Sequence, residues 1–233
     1  LATLVLPEPL PPEHRHAFSA RRVLDGLTHV WNNPHGRRLA INGALHFGGV
    51  FLYISGAPMM MAMLHGGSQD FWMLFVPIVT GMITGSWASG RLAHLPGHRL
   101  ATAGYAIGTV GLLINLVFAL IPATRGLPWS VAALPILTFG MSMTFPILTL
   151  AMLDLFPAHR GAAASVQGFA SLVVNAVVAG LIAPLLGNSL VTMAVGSMVM
   201  FLAAWYVWTR HLKATHIAPT TPDAPGYEPL DEM

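Results

Sequence analysis

The charged residues of this chain are spaced so widely through its middle that they cut it into long uncharged runs. Leu39–Gln69 lies between Arg38 and Asp70, and Phe71–Gly90, Leu100–Thr124 and Gly126–Leu153 follow. The last run, Gly161–Thr209, is more than twice the roughly 20 apolar residues that one helix needs to cross a bilayer. It has to fold back, and Gly187-Asn188-Ser189 is the turn-forming cluster near its middle. The pattern predicts six membrane-spanning helices at about 40–63, 71–90, 100–121, 130–153, 162–186 and 190–208. Helices are required, because open strands would leave backbone groups unsatisfied in hydrocarbon.

Composition agrees. Hydrophobic residues make up 55% of the 233 positions and charged ones 9%, against about 25% charged in an ordinary soluble domain. A soluble globular fold is excluded. The absence of cysteine excludes disulfide frameworks, thiolate metal sites and cysteine nucleophiles. A net charge of +2 is too small to suggest nucleic acid as a partner. Where the charges fall says more. Of the 11 basic residues, Arg15, Arg21, Arg22, Arg37, Arg38, Arg91, Arg99, Arg160, Arg210 and Lys213 lie on one side of a six-span layout. Only Arg125 lies on the other. The positive-inside rule makes the crowded side cytoplasmic and both ends of the chain cytoplasmic.

Outside the bundle at 39–209 the chain changes character. Leu1–Leu6 is apolar and stopped by Pro7, and is expected to be the end of a truncated transmembrane helix. Residues 7–38 read as a cytoplasmic linker: a proline cluster, then a basic, helix-capable stretch at Ala20–Trp31 lying at the membrane surface. Residues 210–233, rich in proline and acid, have the composition of a disordered cytoplasmic tail.

Polar residues inside the spans recur at helical spacing, which marks a protein-facing or water-facing stripe. Asn42, His46, Gly49 and Tyr53 form one, and Pro77, Thr80, Thr84 and Trp87 a second. Thr138, Ser142, Phe145 and Thr149 form a third, and Gln167, Ser171 and Asn175 a fourth. The third and sixth helices carry fewer polar groups and are expected to be outer supports. A cavity shared by the other four is the simplest use for the stripes, with Asn42, His46 and Tyr53 as leading substrate contacts and Thr84, Ser142, Gln167 and Asn175 behind them. Gly81/Gly85 and Gly104/Gly108 are four apart and would let helices approach closely.

Enzyme readings find no support. The sequence has no G-x-S-x-G, no H-E-x-x-H and no P-loop. No acidic residue falls inside a span, so aspartyl proteolysis is excluded, and the histidines lack the one-turn His/Asp pairs of a membrane metal site. No metal and no cofactor is expected.

Four stretches carry a family resemblance. Gly85-Ser-Trp-Ala-Ser-Gly90-Arg91, a short loop, then Gly97-His98-Arg99 resembles the cytoplasmic loop signature of the major facilitator superfamily in its second-half copy, which implies a gating role for Gly85, Gly90, Arg91, Gly97 and Arg99. Leu6-Pro-Glu-Pro-Leu-Pro-Pro-Glu-His-Arg15 and Tyr53-Ile-Ser-Gly-Ala-Pro58 are similar to the exit of helix 6 and to helix 7 of Bcr/CflA-type drug resistance transporters, and Arg160–Phe169 resembles the turn into helix 11. Leu6–Arg15 departs from the usual pattern by a proline where threonine is common.

The resemblance implies the C-terminal six-helix half of a twelve-helix, all-α membrane transporter of the bacterial inner membrane. It implies proton-coupled efflux of drug-like compounds or small metabolites by alternating access. The partners would be the lipid bilayer, a missing N-terminal half that carries the coupling carboxylate, a small-molecule substrate and protons. A stand-alone six-span subunit with a structural or partner-binding role is the alternative.

Overall fold

The computed structural model describes residues 19–67 and 69–217, which are helical apart from short connections and contain no strand. The first helix, α1 (Ala20–Asn32), stops where Pro34 forces Asn33 into an extended conformation. Asn33 then starts the next helix. Its Oδ1 accepts from the backbone N–H of His35 (2.9 Å) and Gly36 (3.2 Å), with Pro34 in the first turn, where its missing N–H does no harm. That helix, α2 (Pro34–Ser55), meets α3 (Ala57–Met63) at a 48° bend at Gly56-Ala57-Pro58. Together they make one broken span.

The remaining spans are α4 (Trp72–Arg91), α5 (Gly97–Leu120), a short α6 (Trp129–Ala132) running into α7 (Leu134–Leu155), and α8 (Arg160–Val177). A π-helical turn at Val178–Ile182 carries α8 into α9 (Ala183–Leu186), and α10 (Leu190–Ile217) follows. Five helical spans are long and apolar enough to cross a membrane, and the bent α2–α3 pair makes the sixth. The expected turn at Gly187–Ser189 is present, with Ser189 Oγ accepting from Val191 N–H (3.2 Å) to start α10.

Several boundaries differ from the sequence reading. The first span, expected from about residue 40 after a linker running to 38, begins at Pro34; the span expected from near residue 100 begins at Gly97; and α10 continues past Arg210 and Lys213 to Ile217, where a disordered tail was expected to have begun. Charged residues belong in a helix once it has left the membrane, so charge alone marks the bilayer edge and not the helix end. The expected helix end at 1–6, the first part of the linker and the tail beyond 217 lie outside the described residues. The helix-capable stretch of the linker forms α1. It packs on the start of α8, with Gly26 against Ala162, and leaves Val23, Leu24 and Trp31 exposed.

The helices form a ring of four with two wings. In the ring α2 packs on α10, α10 on α5, α5 on α7 and α7 on α2; α4 lies against α7, and α8 against α2. Small residues set the distances. A Cβ on Gly104 of α5 would stand 2.7 Å from the Gly140 carbonyl of α7, and one on Gly111 2.6 Å from the Leu137 nitrogen. On α4, Gly81 and Gly85 lie directly on the backbone of Pro135 and Phe139. Both expected glycine pairs are therefore helix contacts of the close, backbone-to-backbone kind. Arg125, the lone basic residue on its side, donates from Nε to the Ala119 carbonyl (3.0 Å) and from Nη2 to that of Leu120 (3.3 Å), closing the end of α5.

Gly104→Leu should lower the stability of the protein in detergent by about 1–3 kcal/mol, the usual cost of overpacking. Gly168→Ala, where a Cβ meets nothing within 4 Å, should leave the melting temperature unchanged or raise it. Thermal unfolding followed by intrinsic fluorescence distinguishes the two, and equal effects would show that the α5–α7 contact is not close-packed.

Candidate functional site

The structure divides the expected site residues into an inner set and an outer set. Asn42, His46 and Tyr53 form the inner set, and all three lie within the ring, 1%, 0% and 2% exposed. Asn42 donates from Nδ2 to the Ala204 carbonyl of α10 (2.8 Å) and accepts at Oδ1 from the Tyr105 hydroxyl of α5 (2.6 Å). His46 Nε2 stands 3.0 Å from the Met141 carbonyl of α7. A carbonyl only accepts, so Nε2 carries the hydrogen, and Nδ1 is buried without a partner. The imidazole is packed between the rings of Tyr105 (4.8 Å) and Phe201 (5.1 Å).

Further along α2 the Tyr53 hydroxyl donates to Asn115 Oδ1 (2.6 Å), and Asn115 Nδ2 donates to the Ser130 carbonyl (3.2 Å). Gly49 completes the stripe, its carbonyl accepting from Ser197 Oγ of α10 (2.7 Å). The α2 stripe was expected to face a shared cavity. In this structure it faces α5, α7 and α10, because those helices supply the partners that its amide, imidazole and phenol require. Two of them are the helices expected to stand outside as supports.

The outer set lies around α7 and α8. Gln167 of α8 is mostly buried, donates weakly from Nε2 to Thr149 Oγ1 of α7 (3.4 Å), and lies against Gly43 of α2. Three helices meet there. One turn beyond Gly43, Phe47 is half-buried, as is Phe51, their rings 5.9 Å apart. Asn175 is half-buried with its Oδ1 unpartnered, and Phe145 of α7 is exposed. Ser142 is buried beside this region on α7. Thr84 stands apart on the exposed face of α4, its hydroxyl donating to the Thr80 carbonyl of its own helix (2.7 Å).

The loop-signature residues are spread over the junction of α4 and α5. Gly85 is packed on α7, whereas a Cβ on Gly90 would meet nothing within 4 Å. Arg91 is exposed, with its guanidinium 5.1 Å from the centre of the Trp87 ring. Gly97 opens α5 against Ile147, and Arg99 is exposed one residue before the buried Leu100. Among the described residues no three His, Asp or Glu side chains are placed to hold a metal ion.

Sequence reasoning missed Tyr105, Phe47 and Phe51, and it placed Thr149 on a polar stripe without naming it as a contact. Tyr105 is the one phenol in a helix of small residues, a signal that a partner is waiting on another helix. The two phenylalanines lie on the face of α2 opposite the polar stripe, and any reading that assigns polarity to the cavity passes over them.

Six membrane-length helices, with polar groups bonded inside the bundle and not to lipid, define a multi-pass integral membrane protein. Residues 1–182 match the Major Facilitator Superfamily, more than half of the chain, and the chain belongs to that family of membrane transporters. No curated protein and no solved structure matches the chain.

The inner network predicts a coupling that mutation can read. Asn42→Leu and Tyr105→Phe should each destabilise the protein, and together by less than their sum. The coupling should be about 0.6–1.7 kcal/mol, the range of hydrogen bonds between membrane helices. A double-mutant cycle of unfolding in mixed micelles measures it. A cysteine replacing His46 should be inert to water-soluble thiol reagents, and one replacing Asn175 should react. Reaction at 46 would mean that the ring interior is open to water.

Proposed function

We propose that the chain works as the C-terminal half of a Bcr/CflA-type, proton-coupled exporter of drug-like compounds in a bacterial inner membrane, with both of its ends cytoplasmic. The observation that carries this reading is the contrast between the ring and the wings. In α7 the buried residues surround the helix, whereas in α8 only Ala163, Val166, Gln167 and Ala170 are buried. The remainder of α8 includes Gly161 and Gly168, where an added Cβ would meet nothing within 4 Å. Glycines with open space beside them suit the close approach of helices from another six-helix half.

The substrate surface in this reading is the outer set: Phe47, Phe51 and Phe145 with Thr149, Gln167 and Asn175, and Ser142 and Thr84 at its margins. It is aromatic, with amide and hydroxyl groups and no formal charge, which fits apolar cargo recognised by stacking and a few hydrogen bonds. Asn42, His46 and Tyr53 then hold α2 in place and do not touch the cargo. The acidic group needed for proton coupling would belong to the first half, since the one acidic residue in a described span, Asp154, lies at the very end of α7 and pairs with Arg160 (3.7 Å). Alternating access would rock the two halves about their shared surface.

Membrane vesicles carrying the transporter that contains this chain should expel a lipophilic dye when energised by a pH gradient, and a protonophore should stop the export. Phe51→Ala combined with Gln167→Leu should slow export about tenfold at equal protein level, equivalent to about 1.4 kcal/mol of lost interaction. Export that is indifferent to this pair of substitutions would reject the assigned surface, and export that survives the protonophore would reject proton coupling.

A further inference from the structure

The helix α1 has three sides. Gly26 and Val30, one turn apart, face the bundle: a Cβ on Gly26 would stand 3.3 Å from the Ala162 Cβ of α8, and Val30 is fully buried. Arg21, Asp25, Thr28 and Asn32 recur at helical spacing along a second side, and all four are exposed. The third side is apolar and uncovered. Leu24, Leu27 and Trp31 follow one another at intervals of three and four residues. Leu27 is half-buried, but Leu24 is 60% and Trp31 42% exposed.

Two anchors fix the level at which that side lies. At its C-terminal end α1 is joined to α2 through Asn33 alone. Leu39, where the uncharged run of α2 begins, is five residues on from Pro34, about 8 Å at 1.5 Å per residue. Midway along α1, Gly26 meets Ala162, two residues after Arg160 and at the same bilayer edge. A helix held at both points runs along the membrane surface and not away from it. Its roll is set by His29, which lies on the face opposite Leu27. The His29 ring is 5.9 Å from that of Phe156 and 5.5 Å from that of His159, both in the connection between α7 and α8. That connection lies beyond the helix ends, outside the hydrocarbon, so the apolar side of α1 is turned back toward the bilayer. Arg21 and Arg37, both exposed, precede and follow the stripe along the chain, with charge suited to headgroup phosphates.

We propose that α1 is an interfacial helix whose Leu24, Leu27 and Trp31 enter the boundary between headgroups and acyl chains, while Gly26 and Val30 hold it to the bundle. Helices of this kind bury their apolar face about 5–10 Å into that boundary. In this arrangement α1 ties the starts of α2 and α8 to the leaflet beneath them. The inference rests on the six membrane spans and not on the substrate, direction or energy source of transport.

The chain contains no cysteine, so single nitroxide labels can be attached to the full chain at Leu24→Cys, Asp25→Cys, Thr28→Cys and Trp31→Cys. All four positions are exposed, and the labels leave the bundle contacts in place. In vesicles of phosphatidylethanolamine and phosphatidylglycerol, oxygen should relax the labels at 24 and 31 more strongly than a water-soluble nickel chelate does. Their depth should be about 5–10 Å below the phosphates. At 25 and 28 the order of the two reagents should reverse. A second measurement needs no label: acyl-brominated lipid should quench the Trp31 fluorescence, read as the difference between the chain and Trp31→Phe. Labels at 24 and 31 that meet nickel as freely as those at 25 and 28 overturn the proposal, because the stripe would face water. Labels at 24 and 31 shielded from both reagents also overturn it, because protein would then cover the stripe. An unquenched Trp31 does the same.

Discussion

A polar side chain carried into hydrocarbon has to find its partner on another helix, and Asn42 finds two. Through one amide α2 is tied to the Tyr105 hydroxyl of α5 and to the α10 backbone at Ala204. His46 adds a tie to α7 and Ser197 a second tie to α10. Sliding α2 against any of these helices would strand a buried donor or acceptor where no water can replace the lost bond. The four ring helices are held as one body for this reason. The wings are held differently, α4 by glycine contacts with α7 and α8 by a narrow buried strip. Relative movement is easiest at α8 and at the break between α2 and α3, where no comparable network crosses.

Most of the architecture was legible in the sequence because the bilayer imposes it. Uncharged runs marked the six spans, and Gly81/Gly85 and Gly104/Gly108 marked the positions of close helix contacts. The direction in which the α2 stripe faces was not legible. A helical phase says that Asn42, His46 and Tyr53 share a face, but not which neighbour lies against it. Water and a partner helix both satisfy an amide, and only Tyr105, Asn115 and the Met141 carbonyl decide between them. The proposed substrate surface was half-legible for the same reason: Gln167 and Asn175 stood out by their polarity, Phe47 and Phe51 were hidden by the lack of it.

Charge in this protein is sparse, and its few members have separate tasks. Arg125 closes the carbonyl end of α5, which explains a cation on the side that otherwise has none. Arg160 pairs with Asp154 at 3.7 Å across the turn between α7 and α8. Arg91 lies over Trp87. Each of the three sits at a helix end or in a connection, where the side chain can reach headgroups or water and the hydrocarbon is spared an unpaired ion.

The π turn at Val178–Ile182 has a consequence for the shape of α8. Val166, Ala170 and Val178 are buried on one side of it, at multiples of four residues, and the next buried position, Ala183, comes five further on. The wider turn works as a one-residue insertion that resets the phase of the helix. It keeps a small alanine turned toward the bundle and leaves Leu181 and Leu185 outside. Without it, steady α-helical winding would swing a bulkier side chain into the space that Ala183 occupies beside Val178. A helical wheel drawn through the whole span therefore goes out of register from Val178 onward, and homologous chains lacking the extra residue would align in sequence with a gap there while keeping the same face against α2.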